Sequence, residues 1–175
     1  MTNLQNSSNP NQNNATSKIQ TLETMASIAD DLRRQGKTIV FTNGCFDILH
    51  LGHIRYLRQA KSLGDVLVIG VNTDSSVKSF KGDLRPIVPE DERAELLAAL
   101  EMVDYVVKFS ERTPENIILA LKPHIQVKGG DYTPDQLPEA KAVYSYGGKV
   151  EIVPFIKGKA TTGIIEKILQ VYGNK

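Results

Sequence analysis

The stretch Val66–Asn72, VLVIGVN, is apolar or glycine at every position but its last, leaving no face for water. A half-exposed strand would alternate. An unbroken run of this length fits a strand covered on both sides, as in a parallel sheet. TIVFTN (Thr38–Asn43), DYVVKF (Asp104–Phe109), HIQVKG (His124–Gly129) and KVEIVPF (Lys149–Phe155) read as four more strands. Helical patterns separate them. Ile19, Leu22, Met25, Ile28 and Leu32 recur at helical spacing before Gly36, and HIRYLRQAKSLG (His53–Gly64) ends on a capping glycine. PEDERAELLAAL (Pro89–Leu100) opens with proline and three acids, both favourable at a helix N-terminus. Further helices are expected from near Thr113, from near Pro138 and over Thr161–Gly173. Connections too long for hairpins make this a doubly wound, Rossmann-like α/β domain: five parallel strands with helices on both faces. One domain is expected over residues 18–175. Residues 1–17, rich in Asn, Gln and Ser, cannot bury enough apolar surface to offset their ordering entropy and are expected to be a disordered tail.

Composition narrows the class of function. A net charge of +1 over 175 residues argues against nucleic acid as a partner. No apolar run approaches a membrane span and no secretion signal opens the chain, so a cytoplasmic protein is expected. Cys45 is the single cysteine, which excludes an intrachain disulfide and a thiolate metal cluster; it reads as a small loop residue.

In doubly wound sheets ligands bind beyond the carboxyl ends of the strands. The loops to search are therefore Gly44–His50, Thr73–Val88, Phe109–Thr113, Gly129–Tyr132 and Pro154–Thr162. No G-x-G-x-x-G follows the first strand, and Gly36-Lys37-Thr38 lies between helix and strand, the wrong order for a phosphate loop. GCFDILHLGH (Gly44–His53) offers another device. His50 and His53, three apart, share a face at the start of a helix whose N-terminus carries unpaired N–H groups. Gly52 lets a phosphate approach the backbone. A zinc site would need a third ligand, and His124, the remaining histidine, begins a different strand, so no metal site is expected. Phe46, Ile48 and Leu49 read first as core.

The other loops carry cations and hydroxyls. Lys81 and Arg85 flank the Gly82-Asp83 turn; Lys78 reads as solvated; Arg93 sits where Glu90 or Asp91 can pair with it. Lys128, Gly129, Gly130 and Asp131 end the fourth strand. Thr161 and Thr162 open the last helix, either as plain caps or as a second phosphate site. Together these loops fit a polyanionic ligand.

The segments TNGCFDILHLGHIRYLRQAKSLGD, NTDSSVKSFKGDLRPIVPEDER, VDYVVKF, TPENII, LKPHIQVKGGDY and TTGII, with the H-x-G-H at His50–His53, resemble the nucleotidyltransferase superfamily typified by phospholipid-precursor cytidylyltransferases. Within it they look like the branch that adenylylates D-glycero-β-D-manno-heptose 1-phosphate. The likeness runs from about Thr38 to the last helix. It implies transfer of AMP from ATP to a sugar 1-phosphate, with pyrophosphate released and Mg²⁺ carried on the nucleotide phosphates. By the same resemblance His50 and His53 are catalytic. Asn43, Gly44, Cys45, Phe46, Gly52, Lys128, Gly130, Asp131, Thr161 and Thr162 join them around the nucleotide, and Asp47, Lys81, Arg85 and Arg93 position substrate. It implies a homodimer; with no sugar kinase domain preceding this one in the sequence, a separate heptose kinase is expected to supply the substrate.

Two positions depart from the family pattern. Ala160 stands where Ser-Thr-Thr has its serine, and Lys157 and Lys159 stand near the place of the arginine found in cytidylyltransferases, which favours ATP over CTP. A CTP-dependent transferase acting on glycerol 3-phosphate or a similar small phosphate, and a non-catalytic nucleotide-binding sensor, remain alternatives at this point.

Overall fold

The computed structural model describes residues 13–131, 133–154 and 160–173. The elements run α1 (Asn13–Thr16), β1 (Ile19–Gln20), α2 (Leu22–Arg34), β2 (Ile39–Gly44), α3 (Leu51–Lys61), β3 (Val66–Asn72), α4 (Asp74–Lys81), α5 (Glu90–Ala98), β4 (Tyr105–Phe109), α6 (Glu115–Leu121), β5 (Ile125–Gly129), α7 (Ala140–Tyr144), β6 (Lys149–Val153) and α8 (Thr161–Tyr172). The strands form one parallel sheet in the order β1-β4-β3-β2-β5-β6.

Alternation along each strand divides the core in two. Val40, Leu67, Ile69, Val71, Val106, Val127 and Val153 face one side, covered by Leu57 and Ala60 of α3 and by Ala94, Leu97 and Ala98 of α5. Ile39, Phe41, Val66, Val68, Val107 and Phe109 face the other, under Met25 and Ala29 of α2, Ile117, Ile118 and Leu121 of α6, and Val143 of α7. The doubly wound class expected from the sequence is therefore present. The chain begins its main winding at β2, runs outward through β3 and β4, then returns to lay β5 on the opposite side of β2. The strand order reverses between β2 and β5, and their carboxyl ends frame the crevice.

The sheet has six strands, not five. Ile19, which fits the helical repeat that follows it, instead pairs with Val106, and a two-residue strand is too short to show a period of its own. Thr21 then caps α2, its hydroxyl accepting from Thr24 N at 3.2 Å. A second difference lies in Thr73–Val88, expected as loop, where Asp74–Lys81 form α4. Within the helix only Val77 and Phe80 are large and apolar, too few to read as a stripe in a polar segment; Thr73 caps it, its hydroxyl accepting from Ser76 N at 3.3 Å. The expected tail lies, for residues 1–12, outside the described residues; Asn13–Thr16 form a helical turn, and Ala15 packs against the core.

Gly70 explains why the run in β3 contains a glycine. A Cβ there would stand 2.8 Å from the ring of Phe41 and 3.2 Å from that of Phe109. Gly70→Ala is expected to lower stability by about 1–3 kcal/mol, the usual effect of overpacking, seen as a lower Tm with an unchanged circular dichroism spectrum. An unaltered Tm would show that the two rings yield freely.

Candidate active site

The loop from β2 to α3 forms the centre of the crevice. Phe46 lies at φ 47°, in the left-handed region, so the chain turns sharply just after the strand. Its ring is buried, in the core and tilted against His53 at 5.3 Å between centroids. His50 is the N-cap of α3, and the rings of His50 and His53 stack at 3.9 Å with only 16° between planes. The helical spacing read from the sequence thus does bring the two imidazoles together at a helix N-terminus. Burial first, and His50 second, push the His53 pKa down to about 4, leaving the ring neutral at pH 7. His53 Nδ1 is buried with no partner among the described residues.

Two charged groups fasten this loop from behind. Asp47, 1% exposed, accepts from Ile87 N at 2.8 Å, from Val88 N at 2.9 Å and from Arg85 Nε at 2.6 Å. Arg93, 0% exposed, donates to Cys45 O at 2.5 Å, Val88 O at 2.9 Å and Asp74 Oδ1 at 2.7 Å. Neither pairing expected for Arg93 occurs: Glu90 and Asp91 meet Lys108 instead, at 3.3 and 2.6 Å. Asp47 and Arg93, read as substrate contacts, are thus committed inside the protein to the β2–α3 loop, the start of α4 and the connection from α4 to α5. Arg85 is half-buried, and Lys81 is exposed. Burial pushes the Cys45 thiol up, while Lys81, Arg93 and Arg85 pull it down, so these three cations converge electrostatically on the β2–α3 loop.

On the other side of the switch point Lys128 reaches Asn43 Oδ1 at 3.3 Å and Glu139 Oε1 at 2.6 Å. Gly130 is buried at φ 145°, a conformation that only glycine adopts readily, and Asp131 is exposed. Ala160 is the N-cap of α8 and makes no side-chain cap bond. Thr161 Oγ1 donates to Ile48 O at 3.4 Å and so ties α8 to the β2–α3 loop; neither of the two proposed threonines is the cap residue. Lys157 and Lys159 lie outside the described residues. His124 is on the opposite end of the sheet, its Nδ1 accepting from Ile39 N at 2.9 Å. Among the described residues no group of three or more His, Cys, Asp or Glu is placed to hold a metal ion. A groove of about 440 Å³ between His50–Leu51 and Gly163, Ile164 and Lys167 opens beside the histidines.

Sequence reasoning missed three residues that shape this site. Tyr56 of α3 places its hydroxyl 2.7 Å from Thr42 Oγ1 and 3.1 Å from Val127 O, bridging β2 and β5. Gln126, fully buried in β5, donates to Asn43 Oδ1 at 3.2 Å. Glu139, 2% exposed, holds Lys128. A polar residue inside an apolar strand, as in HIQVKG, was the available signal for Gln126.

The cytidylyltransferase-like family model matches residues 41–164. Bifunctional protein HldE of Geobacter metallireducens is 54% identical over 158 residues, covering 90% of this chain and 32% of that protein. The protein of the same name from Nitratiruptor is 53% identical over 150 residues, or 86% of this chain and 32% of its own. The chain therefore spans under two thirds of the length of the curated relatives it matches. The structure of a lipopolysaccharide core biosynthesis protein from Thermoplasma volcanium superposes with a TM-score of 0.58 at 35% identity, covering 71% of this chain and 100% of that one. A pantoate-beta-alanine ligase from Francisella tularensis, at TM-score 0.55 and 17% identity over 87% of this chain and 77% of its own, shares the fold alone.

The depressed His53 pKa carries a stability consequence. The unfolded chain takes up this proton near pH 6.5 and the folded chain only near 4, so the unfolded state binds more protons in that window. Stability must fall as pH drops from about 6.5 to 4 and be indifferent to this group above and below. The loss of Tm between pH 7 and pH 5 is expected to be smaller in His53→Gln than in the wild type. Parallel Tm curves would contradict the buried, neutral imidazole.

Proposed function

The chain belongs to the cytidylyltransferase-like family, and from that premise we propose that it transfers AMP from ATP to D-glycero-β-D-manno-heptose 1-phosphate, releasing pyrophosphate. The observation that carries the reading is the stacked His50–His53 pair on the N-terminus of α3 at the switch point. The incoming nucleophile is a phosphate oxygen already ionised at pH 7, so no general base is required. It attacks the α-phosphorus; the bond from that phosphorus to the bridging oxygen of the β-phosphate breaks, and the electron pair leaves with pyrophosphate. The barrier is electrostatic, because two anions must meet while charge grows on the leaving group.

The chain's own groups answer that requirement. The helix N–H groups and the two imidazoles donate to the triphosphate, and a triphosphate beside His53 supplies the countercharge that burial denies it, so a proton is taken up with the nucleotide. Arg85, on the loop held by Asp47, and Lys81, at the end of α4, receive the sugar phosphate. Lys128, Asn43 and Gly130 border the nucleotide, and Thr161 and Thr162 its phosphates. Asp47, Asp74 and Glu139 are already bound to Arg85, Arg93 and Lys128, so Mg²⁺ would be held chiefly by phosphate oxygens rather than by a protein cage. Bound there, it would neutralise charge on the triphosphate and on the pyrophosphate leaving. ATP over CTP, and heptose over a smaller phosphate, follow the likeness to the heptose branch; a kinase reaction must supply the sugar 1-phosphate. The enzyme works in the cytoplasm.

A homodimer is part of the same proposal. In α8, Ile168, Leu169, Val171 and Tyr172 are all 47% or more exposed. Glu166 and Lys167 fall at the midpoint of the helix, so an antiparallel second copy would set each against the other's counterpart. Sedimentation is expected to give twice the monomer mass. Leu169→Asp should yield monomers, Glu166→Lys should weaken the pair, and adding Lys167→Glu should restore it. A wild-type monomer would overturn the dimer.

The function is tested by pyrophosphate release from ATP or CTP with heptose 1-phosphate or glycerol 3-phosphate. Turnover is expected to be fastest with ATP and heptose 1-phosphate. His50→Ala and His53→Ala should fold normally and lose roughly a hundredfold to a thousandfold in kcat, the typical weight of one preorganised donor. Higher kcat/KM with CTP, or no turnover with any pair, would overturn the assignment; near-normal kcat in a folded variant would remove that histidine from the mechanism.

A further inference from the structure

At the switch point the register of β2 and β5, Thr42 against Val127, brings Asn43 beside Lys128. Four polar side chains close on one another there. Asn43 Oδ1 accepts from Gln126 Nε2 at 3.2 Å and from Lys128 Nζ at 3.3 Å, and Lys128 Nζ donates to the buried Glu139 at 2.6 Å. An ammonium can only donate, so the atom of Asn43 that meets Lys128 is the oxygen. The orientation of this amide is therefore dictated by its neighbours. Its other end, the Nδ2–H₂ group, meets no hydrogen-bonding partner among the described residues. Gln126 is held against a penalty: its own Oε1 is buried without a partner while its Nε2 is aimed at Asn43.

We propose that Glu139 is a positioning residue for the nucleotide: by holding Lys128 against Asn43, with Gln126 on the other side, it fixes the Asn43 amide with its N–H₂ toward the crevice, where the site then selects an acceptor atom of the ligand. The third N–H of Lys128 adds a second donor to the same spot. The ligand edge that fits is a phosphate oxygen or an acceptor nitrogen of the base, never a donor. Glu139 touches neither substrate nor reacting atoms; it acts through Lys128. The proposal rests on the nucleotidyltransferase reading.

The test uses the full chain and α,β-methylene-ATP. Asn43→Asp keeps the size of the side chain and still accepts from Gln126 and Lys128, but has no N–H to give. Its Kd should rise about tenfold or more, the weight of one hydrogen bond to a charged group, with Tm preserved. Glu139→Gln releases Lys128. In the ligand-free variant the side-chain amide signals of Asn43 should shift in a ¹⁵N spectrum, and Kd should rise several-fold. In a Lys128→Met background Glu139→Gln should have no further effect on Kd, because the coupling runs through that one ammonium. Wild-type binding by Asn43→Asp would overturn the donor role. A Glu139→Gln effect on Tm alone, or one equal in both backgrounds, would overturn the positioning role. If the wild type binds no analogue, the nucleotide reading itself fails; if it binds and these variants do not respond, only the positioning role fails.

Discussion

A guanidinium with no water around it must find its partners inside the protein, and Arg93 finds them in three different connections. It holds the carbonyl of Cys45 in the β2–α3 loop, the carbonyl of Val88 before α5, and Asp74 at the start of α4. Removing one partner of a buried pair of this kind typically costs about 3–5 kcal/mol, because the remaining charge is stranded. That cost keeps the three segments in one arrangement. Asp47 works the same way from the opposite side, joining the β2–α3 loop to Ile87 and Val88 and holding Arg85. These two residues build the wall on which the exposed and half-exposed cations stand.

With the wall fixed, the electrostatic character of the crevice follows. The turn at Phe46 delivers the chain into α3 so that its N-terminus and two stacked imidazoles face the strand ends. Across the reversal of strand order, Tyr56 clamps β2 to β5, and the group of Asn43, Gln126, Lys128 and Glu139 occupies the seam. Donors dominate both sides, while the acidic groups in the walls are turned inward onto cations. A site of this kind favours a polyanion and needs no base of its own when the nucleophile is a phosphate.

The sequence made the sheet legible wherever a strand was long and covered on both faces, as in Val66–Asn72. It concealed β1, because Ile19 satisfies a helical and an extended pattern equally well, and α4, because one pair of apolar residues, Val77 and Phe80, is too short a pattern to stand out in a polar segment. For the site, spacing along one element was informative: His50 and His53 meet because they are one turn apart. Contacts between elements were not. Nothing in the spacing of Arg93 from Glu90 and Asp91 reveals that Asp74, on another helix, is its partner, or that Lys108 takes both acids. Glu139 sits in a stretch that reads as an ordinary helix start, and its role exists only because β5 carries Lys128 alongside it.

The most direct test of the account is a crystal structure with α,β-methylene-ATP and Mg²⁺. The triphosphate should lie on the N-terminus of α3 within hydrogen-bond distance of His50 and His53, with the nucleotide reaching across the switch point to Asn43 and Lys128, and with Arg93 and Asp47 unmoved behind the loop. A nucleotide bound at the opposite end of the sheet, or a triphosphate that touches neither histidine, would contradict it.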